Sequence, residues 1–305
     1  MSLGTSMYDY IENIIPKERI LFEESMSRHT TFKVGGNARC MIQIEKEEEL
    51  IKLVPYLNQV GQDYFILGNG SNLLVGDKGY RGIIIKLENG INDIKIENDR
   101  IYAQAGALLS QTAIAARDAE LTGMEFAVGI PGSIGGGIVM NAGAYGGEMQ
   151  QITESVRVMD KEGKILILDN DTMEFGYRTS IIKNRPFIVL EVVLRLQAGN
   201  KEEIQKKMDE LMEKRRSKQP IGFPSAGSTF KRPEGYFAGK LIMDAGMRGY
   251  SIGGARVSDK HCGFIINTGT ATAADIKEVI EEVQERVKKR FHVTLEPEVV
   301  FLGDF

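Results

Sequence analysis

The stretch of this chain best suited to hold an anion runs from Gly129 to Gly147, GIPGSIGGGIVMNAGAYGG. Eight of its nineteen residues are glycine, and it holds no Lys, Arg, Asp or Glu. Ile130, Ile134, Ile138, Val139 and Met140 interrupt the glycines, which sets it apart from a flexible linker and points to the interior. Glycine permits φ > 0 and leaves backbone N–H groups open to close approach, so a pyrophosphate is the natural ligand. Close packing of strand and turn backbones is the alternative that the stretch alone leaves open. A second patch, LGNGSNLLVGDKG at 67–79, offers the backbone N–H groups of GNGSN, the Ser71 hydroxyl and the Asn72 amide, all uncharged phosphate donors, and Asn69 and Gly70 lie within it. A simple β-turn explains the same residues. Neither patch follows the common rules. Leu73 stands where the dinucleotide fingerprint wants its third glycine after Gly68 and Gly70, and no Gly-Lys-Ser/Thr follows either patch.

Composition removes other chemistries. The two cysteines, Cys40 and Cys262, form no CxxC, and His29, His261 and His292 have no metal-ligand spacing. No metal centre or disulfide framework is expected, and two free thiols suit a reducing compartment. A net charge of −4 without a long basic run argues against a nucleic-acid partner. No apolar run approaches the roughly 18 residues of a membrane span, and the N-terminus lacks a signal-peptide pattern. At 305 residues, the chain is long enough for two or three domains.

The elements that must position the glycine patches are legible from periodicity. Residues 45–59 read as a surface helix that Pro55 must end or kink. YFILG (64–68) and GIIIKL (82–87) read as buried strands. Hairpins are expected around Asn98-Asp99 and Lys161-Glu162-Gly163, and an Ala-rich helix over 109–120. From Ile188 to Leu196 every even position is aliphatic, the signature of a half-buried strand. After Gly199, Asn200 caps a charged helix over 201–216 with Ile204, Met208, Leu211 and Met212 on one face. A final helix over 272–290 carries Ile276, Val279, Ile280, Val283 and Val287 as its apolar stripe, and VTLEPEVVFLG closes the chain as a strand. Hairpins followed by helices with strands argue for an α+β architecture, with the main boundary near residue 200.

The order of motifs is more specific than any one of them. TTFKVGGNAR (30–39), LGNGSNLLV (67–75), GIPGSIGGGIVMNAGAYGGEM (129–149), FGYRTS (175–180), PSAGSTFKRP (224–233) and LEPEVVFLG (295–303) together resemble the UDP-N-acetylenolpyruvoylglucosamine reductases, within the wider vanillyl-alcohol-oxidase/PCMH flavoprotein group. The resemblance covers about residues 20–303. It implies a two-part PCMH-type FAD-binding module (20–90 and 91–200) followed by a C-terminal α+β substrate-binding domain (201–305). It also implies reduction of an enolpyruvyl UDP-sugar by NADPH through non-covalent FAD, in peptidoglycan precursor synthesis in a bacterial cytoplasm. The run from Arg178 straight to the Ile188 strand leaves no room for the extra substrate-closing loop of longer members, so the chain resembles the shorter subtype. Lys231-Arg232-Pro233 follows Phe230 where some members carry Asn before the proline.

The resemblance also assigns roles. Hydride delivered to C3 of a vinyl ether builds negative charge at C2 and in the carboxylate, which calls for a cation and a proton donor. Arg178 matches the substrate-polarising arginine, Ser228 the proton donor to C2, and Glu298 the third catalytic residue. Ser225 and Glu296 are rivals of the same chemistry, and no histidine adjoins Ser228 in sequence. Tyr177 and Lys218 match substrate contacts. Asn69, Gly70, Ser71, Asn72, Gly129, Pro131, Gly132, Ser133, Ile134 and Gly135 are the expected FAD contacts. His29, before TTFKVGG, is similar in place to covalent flavin sites of distant members, but the reductases attach none. A monomer is the expected state.

Overall fold

In a computed structural model, which describes residues 3–87 and 90–305 and the side chains of the first helix from Met7 onward, the alternating run after Phe187 is the strand Ile188–Arg195. Leu190, Val192 and Leu194 are fully buried on one face, and Arg195 is exposed. This strand is the centre of an antiparallel sheet ordered Ile165–Asp169, Thr153–Met159, Ile188–Arg195, Arg100–Gln104, Ile94–Glu97. Both expected hairpins belong to it. Asn98 and Gly163 supply the positive φ that their turns need, at +55° and +86°.

The described residues form two compact units that interleave along the chain. The first comprises Met1–Phe22, Cys40–Asn69 and Gly82–Met212, and the second Glu23–Arg39, Gly70–Arg81 and Glu213–Phe305. Each has its own apolar core.

Helix α1 (Leu3–Glu12) and helix α2 (Glu47–Gln59) belong to the first unit, and a four-stranded sheet is ordered Ile20–Ser25, Asn37–Gln43, Tyr80–Lys86, Tyr64–Leu67. α2 begins with three glutamates that suit the positive end of a helix. Glu49 accepts the N–H groups of Glu45 and Lys46 at 2.9 and 3.2 Å and a bidentate pair from Arg19 at 2.9 and 2.6 Å. The helix does not end at Pro55: α2 runs through it to Gln59. Pro55 has no N–H to give the Ile51 carbonyl, and the turn at Gly163 sits over that spot. A Cβ there would lie 3.0 Å from Pro55 Cγ and 3.2 Å from Ile51 O. Tertiary packing thus covers the defect that propensity penalises.

Helix α3 (Leu109–Asp118) matches the Ala-rich reading. The glycine stretch contains helix α4 (Ile134–Val139), which periodicity did not reveal. Its glycines are a packing requirement: a Cβ at Gly135 would lie 3.0 Å from Ala105 Cβ, and one at Gly137 3.2 Å from Leu109 Cδ1. Helix α5 (Lys201–Lys218) buries Ile204, Met208 and Leu211, and Asn200 Oδ1 accepts the Glu203 N–H at 3.0 Å as its cap.

The second unit holds helix α6 (Ala238–Asp244), helix α7 (Ala273–Phe291), and a small sheet of Ser251–Ile252, Ala255–Val257 and Ile265–Asn267. Leu73–Val75 pairs in parallel with Val300–Leu302. The apolar stripe of α7 is fully buried. Its N-terminus is closed twice: Thr272 and Asp275 form a capping box, and Asp77 accepts the N–H groups of Ala273 and Ala274, each at 2.8 Å. The closing strand is shorter than expected, since only Val300–Leu302 pairs regularly.

Candidate functional site

In the first unit, the start of the shorter glycine patch meets the longer one at Asn69, whose Nδ2 donates to Pro131 O at 2.6 Å. A Cβ at Gly68 would lie 2.3 Å from Ser133 Oγ, so a side chain there would push the loops apart. Ser133 caps α4 by accepting the Gly136 N–H at 3.3 Å. Ile134 and Gly135 give their N–H groups to Ala107 and Ala105 at 2.7 and 2.8 Å, and both residues are buried. Any cofactor contact of theirs is therefore through other atoms. Among the described residues, the N–H groups of Asn69, Gly129, Gly132 and Ser133 meet no protein acceptor. Pro131 is exposed between them. Uncharged, rigid and rich in open donors, this surface suits a pyrophosphate.

The far half of the glycine stretch holds the arginine motif. Asn141 Nδ2 donates to Gly176 O at 3.1 Å, Ser180 Oγ to Val139 O at 3.1 Å, and Arg178 Nη2 to Gly143 O at 3.1 Å. Gly176 and Thr179 exchange backbone hydrogen bonds at 3.1 and 3.3 Å, which leaves Tyr177-Arg178 as a two-residue turn. Arg178 sits in the left-handed region, φ +57°, where glycine is the relaxed choice. An L-residue there costs about 1 kcal/mol or more. Asn141, Tyr145 and Glu174, at φ +42°, +53° and +47°, share that conformation in the same two segments. The guanidinium lies 5.2 Å from the ring of Tyr177, which is 53% exposed.

In the second unit, Gly70 (φ +61°) lies so close to His29 that a Cβ would stand 1.9 Å from its carbonyl oxygen, so no other residue fits. Among the described residues, the N–H groups of Gly70 and Ser71 meet no protein acceptor. His29 Nε2 is 2.8 Å from Glu24 Oε1. The Asn72 amide, expected as a phosphate donor, gives its Nδ2 to Glu298 O at 2.9 Å, while Asn72 O accepts the Val300 N–H at 2.9 Å. Asn72 thus ties the glycine loop to the glutamate segment.

Ser228 and Glu298 lie on paired segments. Glu298 donates its N–H to Thr229 O at 2.8 Å, Lys231 its own to Glu296 O at 2.9 Å, and Phe230 opposes Pro297. Pro297 occupies a position of this pairing that needs no N–H. Glu296 is turned outward and ion-paired with Lys231. Glu298 is half-buried and Ser228 exposed. Thr229 is fully buried, accepting the Ile265 N–H on Oγ1 at 3.1 Å and giving its own N–H to Gly263 O at 2.8 Å. Ser228 Oγ reaches Phe230 O only at 3.5 Å, so the hydroxyl is weakly held. Lys218, the last residue of α5, is exposed, as is Ile221 in the loop that follows; Ser225 is half-buried.

One residue beside Ser228 has no signal in local sequence. A Cβ at Gly263 would lie 2.9 Å from His261 Cε1 and 3.4 Å from Ser228 Oγ, so both side chains lean on the bare face of this glycine. His261 Nδ1 accepts the Gly263 N–H at 3.1 Å, and the ring stands edge-on to Phe264 at 5.1 Å. Burial pushes the imidazole pKa down, which favours the neutral ring. Among the described residues no cluster of His, Cys, Asp or Glu is arranged to hold a metal ion, and no helix is long and apolar enough to cross a membrane.

The chain is similar to known proteins over nearly all of its length. Residues 38–169 match the family profile described as an FAD binding domain, and residues 219–302 match the profile of the UDP-N-acetylenolpyruvoylglucosamine reductase C-terminal domain. The UDP-N-acetylenolpyruvoylglucosamine reductase of Caldanaerobacter subterraneus subsp. tengcongensis is 52% identical over 298 residues, covering 98% of each chain. That of Clostridioides difficile is 49% identical over 298 residues, again covering 98% of each. The crystal structure of UDP-N-acetylenolpyruvylglucosamine reductase from Thermus caldophilus superposes with a TM-score of 0.80 at 34% identity, covering 93% of this chain and 98% of that one.

Proposed function

This chain belongs to the UDP-N-acetylenolpyruvoylglucosamine reductase family, and from that premise we propose that it reduces UDP-N-acetylenolpyruvoylglucosamine to UDP-N-acetylmuramate with NADPH in peptidoglycan precursor synthesis. The fold is α+β, an FAD-binding part followed by a C-terminal domain. The open N–H groups of Asn69, Gly129, Gly132 and Ser133 and the absence of acidic side chains between Gly129 and Gly135 fit the pyrophosphate of FAD. Bound there, FAD supplies the acceptance of hydride from NADPH and its delivery to C3 of the enolpyruvyl group.

The chain's own residues handle charge and proton. Arg178 faces the substrate carboxylate with a planar fork and stabilises the negative charge that spreads into it from C2. Ser228 gives its Oγ proton to C2. Glu298 holds the serine or the enolate; its rival Glu296 is already paired with Lys231 at the surface. Tyr177 and Lys218 contact the UDP-sugar. The functional division runs 20–90 and 91–200 for FAD and 201–305 for substrate. The enzyme acts as a cytoplasmic monomer of the shorter subtype. Between Arg178 and Ile188 there is room only for the turn Ile181–Lys183.

The observation that carries this reading is Arg178 itself: a long cation in a left-handed position, fastened to the glycine stretch through Gly143. Anaerobic spectroscopy tests it. Flavin absorbance should bleach with NADPH and return on adding the UDP-enolpyruvyl sugar. Bleaching without return would remove the assigned substrate while keeping the flavin, and failure to bind FAD would remove both.

A further inference from the structure

Ser228 is a weak acid, and nothing adjoining it in sequence strengthens it. Folding brings one candidate. His261 and Ser228 Oγ converge on Gly263, whose missing side chain is what allows the approach: a methyl there would meet the imidazole at 2.9 Å and the hydroxyl at 3.4 Å. A second glycine, Gly239, borders the same ring, with its own notional Cβ 3.2 Å from His261 Cε1. The imidazole is held from several sides. Its Nδ1 takes the Gly263 N–H, its backbone N–H reaches Ser258 Oγ at 3.3 Å, and its ring rests edge-on against Phe264. With Nδ1 an acceptor and the neutral form favoured, the ring proton resides on Nε2, so His261 is a donor. The long 3.5 Å contact of Ser228 Oγ leaves that oxygen able to accept.

We propose that His261 is a positioning residue for proton delivery, its Nε2–H bonding to Ser228 Oγ in the working complex and aiming the serine proton at C2. This rests on the assignment of Ser228 as the proton donor. In the step itself the Oγ–H bond breaks and the C2–H bond forms. The electron pair left on Oγ is stabilised by the imidazole N–H, and a solvent proton then restores the hydroxyl. His261 is unchanged throughout. Hydrogen bonds of this kind are commonly long before substrate binds and tighten in the reacting complex.

The experiment compares His261→Ala, His261→Gln, Gly263→Ala and Ser228→Ala in anaerobic stopped flow. Bleaching of flavin by NADPH, which reports the fold and the cofactor, should stay within about two-fold of the parent in His261→Ala, His261→Gln and Gly263→Ala. Return of colour with the UDP-enolpyruvyl sugar should slow by about 10- to 100-fold in His261→Ala and Gly263→Ala, with a larger solvent isotope effect. His261→Gln, which keeps an N–H donor, should recover part of the rate. In nitrogen NMR of the parent, His261 should be the Nε2-protonated tautomer, and Ser228→Ala should shift its resonances. A normal return rate in His261→Ala while Ser228→Ala is slow would overturn the role of His261 alone. A normal return rate in Ser228→Ala would overturn the serine assignment beneath it.

Discussion

Arg178 is required to be two things that conflict. Its backbone wants glycine, and its side chain carries the positive charge that the proposed reaction calls for. The conflict makes a clear prediction. Arg178→Gly relieves the left-handed strain but loses the bond to Gly143, so stability should change by less than about 1 kcal/mol while substrate-driven flavin reoxidation is lost. Arg178→Lys keeps the charge but not the fork, and kcat/KM should fall by about 10²- to 10³-fold. Thermal unfolding together with stopped-flow rates separates the two effects. If Arg178→Lys kept full activity, the arginine would be no more than a surface cation. The rival serines and glutamates divide in the same physical way. Glu296 is already satisfied by Lys231, whereas Glu298 is half-buried and its backbone is clamped between Thr229 and Asn72.

At the scale of elements, helix ends are where single side chains hold most. Burial pushes the Glu49 carboxyl up, but the Arg19 fork and the N–H groups of Glu45 and Lys46 outweigh it and hold it below its ordinary value. Its stabilisation is therefore complete above the ordinary carboxylate pKa and is lost as pH falls through the lower, folded-state value. Glu49→Gln should cost about 2–3 kcal/mol at pH 7 and flatten the acid limb of a denaturation-midpoint profile below about pH 4.3. An unchanged acid limb would mean that the Arg19–Glu49 pair contributes nothing. At α7, Asp77 closes two N–H groups from a segment nearly two hundred residues away in sequence. Asp77→Ala should destabilise by about 1–2 kcal/mol in urea unfolding, more than an isolated Thr272→Ala, because two charge-assisted bonds are lost. Pro55 shows the reverse case: an element survives a poor residue because Gly163 packs onto the exposed carbonyl.

Across the whole molecule, the proposed flavin contact and the chain's own packing make demands on the same glycines. Gly70 has no room for a Cβ against His29, so Gly70→Ala must displace the loop that carries Asn69 and Ser71. The purified variant should be largely colourless, and added FAD should raise its Tm by far less than in the parent, where ligand binding stabilises in proportion to RT ln(1 + [L]/Kd). A variant that retained yellow colour and the full thermal shift would exclude this loop from flavin binding. The glycine stretch does double duty along its length: one end adjoins Asn69, and the other fastens Arg178. A reading of local glycine content reveals the first role but not the second.

Periodicity and turn chemistry are local properties, so the sequence by itself determined much of this protein. The alternating strand at Ile188, the hairpins at Asn98 and Gly163, the α7 stripe, the Asn200 cap and the order of the six motifs all follow from neighbours along the chain. Other features depend on contacts between segments far apart, which no local pattern encodes. The helix inside Gly129–Gly147 exists because Ala105 and Leu109 accept glycines at close range. The choice of which N–H groups stay open was made by Ala105 and Ala107, which claim those of Ile134 and Gly135. His261 and Ser228, 33 residues apart in sequence, come to the same face of Gly263 only in the folded chain. Tertiary structure decided these matters because burial, steric room and hydrogen-bond satisfaction are settled only when distant segments pack together.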